Sequence, residues 1–103
     1  MKTKCEIIDE ITEEIGFALI KFPSWPTDPI HAAGIVAEES GEIMKACLEA
    51  TYEPEKSNLE DARKEAIQTA AMAIRFIYGM DKYRLRQSDQ VNQYEELVND
   101  QTI

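Results

Sequence analysis

The chain has 103 residues, a length that fits one domain with a modest hydrophobic core. Twenty acidic against eleven basic side chains give it a formal net charge of −9 at pH 7. Because this charge repels both the nucleic-acid backbone and anionic lipid, we expect neither as a partner, and an anionic ligand would need a cation to bridge it to the protein.

The N-terminal residues and the cysteines favour a cytoplasmic protein. Lys2 and Lys4 have the charge of a signal-peptide start, but acidic residues follow where an apolar segment should lie. No apolar run approaches the length of a membrane span. Cys5 and Cys47 lack the spacing of a zinc site and are interpreted as free thiols of a reducing compartment.

The first half of the chain predicts two helices. Apolar residues recur at helical spacing from about Thr3 to Phe22, and a Pro-Ser-Trp-Pro segment ends this helix. Asp28 followed by Pro29 is typical of a helix start, with an acceptor at the N-cap and proline at the first helical position. The second helix is predicted to run to about Thr51.

The second half predicts a third helix and a short fourth one. The segment Ser57–Glu60 has the form of a capping box, and Gly79 is predicted as the C-cap of the helix that follows. No segment alternates like a strand, so the predicted fold class is all-α. A weaker helical pattern near the C-terminus is opened by Ser88 and continues with Val91, Tyr94, Leu97 and Val98.

The third helix is apolar on nearly every side between Ala66 and Tyr78. A helix that is hydrophobic all round has to be buried all round. Two long helices and a short one cover it incompletely, so we expect a partner subunit to complete a helical bundle. The predicted assembly is a homodimer or a homotetramer.

Two acidic motifs stand in the second and third helices. Glu39 and Glu42 are three residues apart, and so are Glu65 and Gln68. Residues at this spacing lie on one helix face, so side-chain oxygens from two facing helices can be pooled around one hard cation. The alternative is that each motif is a solvated acidic face.

Position around the helix favours the cation site. Glu39 falls in the arc of Ala32, Ile35 and Ala46, and Glu65 falls in an arc of apolar residues on the third helix. Burying a carboxylate without a partner costs roughly several kcal/mol of folding free energy. The positions of Glu39 and Glu65 therefore predict a cation partner. Oxygen ligands without paired histidines or thiolates favour Mg²⁺ or Mn²⁺, and Mg²⁺ prefers substrates with phosphate oxygens.

Basic and aromatic residues near the motifs are candidate substrate contacts. Lys64 and Arg75 lie on the same side of the third helix as Gln68, and Arg75 is the one charge within an apolar run. Trp25, held between prolines near the start of the second helix, is the best candidate to stack on a base. For each the alternative is surface charge or ordinary packing, and for Lys45 that alternative is preferred.

Three motifs follow one another along the chain: Trp-Pro-Thr-Asp-Pro, then Glu-Glu-x-x-Glu, then Glu-x-x-Gln. The last of them leads into an apolar helix that ends Tyr-Gly-Met-Asp. This order resembles that of the MazG-like all-α nucleoside triphosphate pyrophosphatases. The small single-domain members found in phages are the most similar. The resemblance spans roughly residues 25–81, the expected core of a single domain over 1–103. It implies an oligomeric helical bundle that hydrolyses a nucleoside triphosphate to the monophosphate and pyrophosphate with Mg²⁺, or with Mn²⁺.

The family pattern is Glu-Glu-x-x-Glu followed by Glu-x-x-Asp. Carried onto this chain, it implies that Glu39, Glu42, Glu65 and the position of Gln68 hold the metal, with Glu38 as a supporting carboxylate. The glutamates of this set are the expected catalytic residues. Trp25, Lys64 and Arg75 are expected to contact the substrate.

Gln68 is the one departure from the family motif. An amide oxygen can ligate Mg²⁺ but carries no negative charge, so metal affinity or the number of bound metals changes. Two interpretations follow. One is an active pyrophosphatase acting on a canonical or modified (deoxy)nucleotide. The other is a helical nucleotide-binding or regulatory module that keeps the fold without efficient catalysis.

Overall fold

The structure, a computed structural model, describes residues 1–85. Three helices, α1 (Lys4–Lys21), α2 (Pro29–Tyr52) and α3 (Leu59–Tyr78), are followed by one 3₁₀ turn at Met80–Lys82. No strand is present in this part of the chain, so the predicted all-α class is confirmed. The predicted fourth helix, from Ser88 to Val98, lies outside the described residues.

Local capping explains where α1 and α2 begin. The Thr3 hydroxyl accepts a hydrogen bond from the Glu6 backbone N–H while the Glu6 carboxylate accepts one from the Thr3 N–H, which is a complete capping box. At α2 the Asp28 carboxylate accepts from the Ile30 N–H at 2.9 Å, and Pro29 takes the first helical position as predicted.

The start of α3 differs from the sequence prediction by one residue. Asn58, not Ser57, is the N-cap, and its side-chain oxygen accepts from the Glu60 N–H at 2.9 Å. The Ser57 hydroxyl instead donates to the Asp61 carboxylate at 2.8 Å. The Asn58 backbone is extended, and its side chain satisfies a free N–H in the first turn of α3.

The third helix is central in the packing. It lies against both α1 and α2, whereas α1 and α2 make no close backbone approach to each other within residues 1–85. Arg63 of α3 forms a salt bridge with Glu10 of α1, and Lys2 binds the same carboxylate. The hydrogen bond from Arg63, followed by the one from Lys2, lowers the pKa of Glu10 to about 2. The separation of α1 from α2 leaves a groove floored by α3.

The core of the described chain contains small side chains. Its buried apolar residues are Ala18, Ala32, Ala46, Ala62 and Ala71, and none of its large side chains is fully buried. Alanine lets helices approach closely, but each buried methyl contributes only about 0.8 kcal/mol. Ile77 and Tyr78, at the end of the helix expected to be buried all round, remain exposed. One chain therefore leaves much of its apolar surface in water.

Candidate functional site

The groove between α1 and α2 encloses about 590 Å³. Its walls come from the two outer helices and the loop that joins them, and its floor comes from α3. The predicted site residues that line it are Trp25, Glu38, Glu39, Gln68 and Arg75. The packing thus brings together residues that lie up to two helices apart in sequence.

One end of the groove is acidic and centres on Glu39. This side chain is half-buried on the face of α2 that packs against α3, between the buried Ala32 and Ala46, as the helical spacing predicted. Burial raises the pKa of Glu39, and the negative charges of Glu65 and of neighbouring glutamates raise it further. The charged form of Glu39 is therefore disfavoured in the protein without a cation.

A carboxylate that the sequence analysis missed belongs to the same cluster. Glu14 of α1 lines the groove, is half-buried, and adds to the rise in the Glu39 pKa. A detectable signal was present, because Glu14 lies three residues after Ile11 and four before Ala18 on the apolar arc of α1. The helical-spacing criterion applied to α2 and α3 would have selected it as well.

These carboxylates are neighbours rather than a closed set of ligands. Within residues 1–85, no three side chains of His, Cys, Asp or Glu converge closely enough to hold a metal ion as they stand. Their chemistry nevertheless fits a hard divalent cation, since all donors are oxygens and Glu39 is held near like charges. A cation would have to draw the side chains together by rotation about their flexible χ angles.

The other end of the groove is built around Trp25 and Arg75. Arg75 is buried, and its guanidinium carbon lies 4.7 Å from the centre of the Trp25 ring. Its Nη2 donates to the carbonyl oxygens of Phe22 at 2.8 Å and Ser24 at 3.4 Å. Burial lowers the Arg75 pKa. The Arg75 guanidinium thus holds the loop between α1 and α2 against α3. It also covers one face of the Trp25 ring.

A second set of contacts holds the edge of Trp25. The indole Nε1 donates to the Tyr83 hydroxyl at 2.9 Å, which in turn donates to the Phe76 carbonyl at 2.8 Å. Gly79 is the C-cap of α3 as predicted, but its φ of −81° needs no glycine. Close packing requires the glycine instead, because a Cβ added at Gly79 would lie 2.9 Å from the Tyr83 oxygen and 3.1 Å from Trp25 Cδ1.

The remaining predicted residues lie beside the groove. Glu65 is half-buried and Glu42 is exposed, and both act on Glu39 through their charges. Lys64 is exposed and lines a separate hollow of about 270 Å³ with Glu13 and Glu14. Gln68 lines both cavities, so it is the residue of α3 that connects them.

A basic residue absent from the sequence prediction also lines the groove. Lys21, in the last turn of α1, is exposed, and its ammonium lies 5.5 Å from the centre of the Phe22 ring. Neither Lys21 nor Arg75 makes a salt bridge among residues 1–85, but Arg75 donates to two backbone carbonyl oxygens. The groove therefore combines carboxylates at one end with cations and aromatic rings at the other.

Comparisons with protein-family models, with curated proteins and with solved structures found no match. The arrangement of side chains in the groove therefore carries the functional argument by itself. Over residues 1–85, no helix has the length and apolar character that crossing a bilayer requires.

Proposed function

We propose that this chain is a Mg²⁺-dependent nucleoside triphosphate pyrophosphohydrolase of the MazG-like kind, converting a (d)NTP to the (d)NMP and pyrophosphate in the cytoplasm. The observation that carries the proposal is the environment of Glu39. Burial raises the pKa of this half-buried side chain, and the charges of carboxylates from three helices raise it further. Such an arrangement is unfavourable alone and becomes favourable when a cation is shared.

The residues have distinct parts in this proposal. Glu39, Glu42, Glu65 and the amide oxygen of Gln68 hold the cation, and Glu38 supports them from the groove wall. The cation would neutralise phosphate charge and lower the pKa of a bound water. Mn²⁺ has the same preference for oxygen ligands and is expected to substitute.

The opposite end of the groove suits the organic part of a nucleotide. Trp25 offers aromatic surface, and Lys21 offers an exposed ammonium for phosphate oxygens. Arg75 positions Trp25 through its stacking contact, and it would have to release its bond to the loop to reach a substrate. We therefore assign Arg75 a positioning role and Lys21 the phosphate contact.

The exposed apolar surface supports a homodimer or homotetramer as the active form, because the buried apolar residues within residues 1–85 are all alanines and large apolar side chains stay exposed. Sedimentation at micromolar concentration is expected to show no stable folded monomer. A compact folded monomer would contradict this part of the proposal.

Thermal melting with and without Mg²⁺ tests the cation site directly. A ligand that binds only the folded state stabilises it by mass action, so Mg²⁺ should raise the melting temperature of the parent protein. Glu39→Gln should lose that rise together with pyrophosphate release from a panel of nucleotides. Glu55→Gln, in the exposed loop before α3, removes the same charge and should keep both.

Tryptophan emission tests the position of the base. Trp25 is the one tryptophan of the chain. Saturating nucleotide with Mg²⁺ is expected to change its emission, because a stacked base alters the surroundings of the indole. Unchanged emission at saturation would place the base elsewhere in the groove.

The second candidate is a nucleotide-binding or regulatory module with little catalysis. Gln68 favours it, since the amide replaces an acid of the family motif and the carboxylates do not converge on their own within residues 1–85. Binding of a nucleotide with Mg²⁺ but without pyrophosphate release would select this candidate. Pyrophosphate release that requires Mg²⁺ would select the enzyme.

A further inference from the structure

Glu14 of α1 lies where the groove and the hollow beside it meet. It lines the groove together with Glu38, Glu39 and Gln68, and it lines the hollow together with Gln68. Phe17 is the other residue that lines both cavities. Glu14 on α1 and Gln68 on α3 therefore both lie at the boundary between the two cavities, next to the proposed cation site.

A second carboxylate on this side of α1 shows what Glu14 lacks. Glu10 lies one turn earlier, lines the same hollow, and forms salt bridges with Lys2 and Arg63. Glu14 is also half-buried, yet it forms no salt bridge within residues 1–85, not even with Lys64 in the same hollow. The chain described thus neutralises the first carboxylate and leaves the charge of the second uncompensated.

We propose that Glu14 is a further ligand of the cation, supplying from α1 the negative charge that Gln68 does not supply from α3. The inference rests on the proposed function, because it takes the Mg²⁺ site around Glu39 as its starting point. It adds a ligand from a helix that carries none of the residues implied by the motif.

The charges of the ligands favour this addition. Glu39, Glu42 and Glu65 offer three carboxylates, and the Gln68 amide adds an oxygen without charge. Because affinity for a hard dication rises with the number of charged ligands, a fourth carboxylate at Glu14 offsets the loss. The amide also suits a carboxylate neighbour, since its NH₂ group donates hydrogen bonds where an ionised aspartate would only repel.

A ligand on α1 changes what the cation does to the fold. The helices α1 and α2 each lie against α3 but make no close backbone approach to each other within residues 1–85. A cation held by Glu14 together with Glu39 joins α1 to α2 across the groove. Bound Mg²⁺ should then stabilise the position of α1, whereas a cation held by α2 and α3 alone should leave α1 unchanged.

Calorimetric titration with Mg²⁺ alone tests the ligand role in the full chain. Glu14→Gln should weaken binding by at least about tenfold, since loss of even an outer-shell partner of a metal has an effect of that size. Glu13→Gln removes the same charge from the next residue, which is exposed and does not line the groove, and should stay within about twofold of the parent.

The outcomes separate this inference from the proposed function. If the parent binds Mg²⁺ and the two variants bind it equally well, only the role of Glu14 is overturned. A parent that binds no Mg²⁺ overturns the proposed function together with the inference.

Moving the charge between helices tests the relation to Gln68. In Glu14→Gln/Gln68→Asp the carboxylate passes from α1 to α3 and the total charge is unchanged, so most of the lost Mg²⁺ affinity should return. Gln68→Asp should also give a larger gain in the Glu14→Gln background than in the parent, because two ligands of one cation are not additive. Equal gains in both backgrounds indicate independent positions and overturn the proposal.

Hydrogen exchange gives a readout that does not depend on catalysis. Saturating Mg²⁺ should slow amide exchange in all three helices of the parent, since the cation would join them. Glu14→Gln at saturating Mg²⁺ should keep the slowing in α2 and α3 and lose it in α1. Without Mg²⁺ this variant should be as stable as the parent or more so. Slowed exchange of α1 that persists in Glu14→Gln, or a clear loss of its metal-free stability, overturns the proposal.

Discussion

The two ends of the groove between α1 and α2 differ in how far the chain satisfies its own charged groups. At the tryptophan end, the Arg75 guanidinium is bound by two carbonyl oxygens and by the Trp25 ring. At the carboxylate end, Glu39 is surrounded by groups of its own charge, and none of the salt bridges within residues 1–85 involves it.

The difference teaches how a charged residue in an apolar region is to be interpreted. Arg75 and Glu39 both interrupt apolar helix surface, and the sequence marked both as candidate functional residues. Arg75 has its partners within the described chain, so its first role is to hold the structure together. Glu39 lacks such partners in that part, and this difference is what supports the proposed cation there.

The largest expected effect is at the tryptophan end. Arg75→Ala removes two hydrogen bonds and the stacking contact and frees the loop from α3, so it should lower the free energy of unfolding by about 2–4 kcal/mol. Arg75→Lys keeps the charge without the planar fork and should fall between the parent and Arg75→Ala. Urea unfolding at one protein concentration measures both.

Arg84→Ala is the matched control for this series, because the Arg84 side chain is exposed and only its backbone N–H binds the loop, at Thr27. It should stay within about 0.5 kcal/mol of the parent. An Arg75→Ala protein as stable as Arg84→Ala would remove the distinction between the two ends of the groove.

A pair of glycine substitutions tests how tightly the tryptophan end is packed. Gly79→Ala introduces contacts of about 3 Å with Tyr83 and Trp25 and should cost about 1–3 kcal/mol. Gly16→Ala meets nothing within 4 Å and lies inside α1, so it should stabilise by about 0.5–1 kcal/mol. Thermal melting distinguishes the expected loss of stability in Gly79→Ala from the expected gain in Gly16→Ala. If both variants gain stability equally, Tyr83 moves freely to make room for the added Cβ.

The pH dependence of Glu39→Gln tests the carboxylate end. The folded-state pKa is raised above the unfolded value of about 4.3, so ionised Glu39 opposes folding. Below about pH 4 the variant should match the parent, and it should become the more stable protein as the pH rises through the raised pKa. The gain should not exceed about 1 kcal/mol, because the side chain is only half-buried.

Melting temperatures between pH 4 and pH 8 in metal-free buffer measure this effect. Glu55→Gln, which removes the same charge from an exposed loop, should show a difference from the parent that does not change with pH. If Glu39→Gln is less stable than the parent at neutral pH, the carboxylate has a partner and the comparison fails.

The effect expected at Gln68 is on Mg²⁺ affinity rather than on the stability of the fold. Gln68→Asp adds a carboxylate to the proposed cation site and should tighten Mg²⁺ binding by roughly tenfold or less, a change of up to about 1.4 kcal/mol. Ala66→Asp adds the same charge to α3 at a residue that does not line the groove, and it should change the affinity less. Calorimetric titration giving equal affinities for the two variants would mean that residue 68 does not face the metal.

Much of the architecture could be predicted because it depends on local rules. The caps at Thr3 and Asp28 bind backbone groups within three residues, so their sequence signals are complete by themselves. The half-burial of Glu39 and Glu65 followed from helical spacing, since a helix has one side toward its neighbour. The one-residue difference at Ser57 arose where two adjacent side chains could cap the same helix.

What the sequence determined about this protein by itself is the three helices of residues 1–85 and the face on which Glu39 and Glu65 lie, because both depend on contacts within a few residues. Only the tertiary structure decided which residues meet. It placed Glu14 of α1 beside Glu39, committed Arg75 to Phe22 and Trp25, and left Ile77 and Tyr78 of α3 exposed. Those outcomes depend on how α1 and α2 pack around α3, and the spacing of residues along one helix carries no information about that packing.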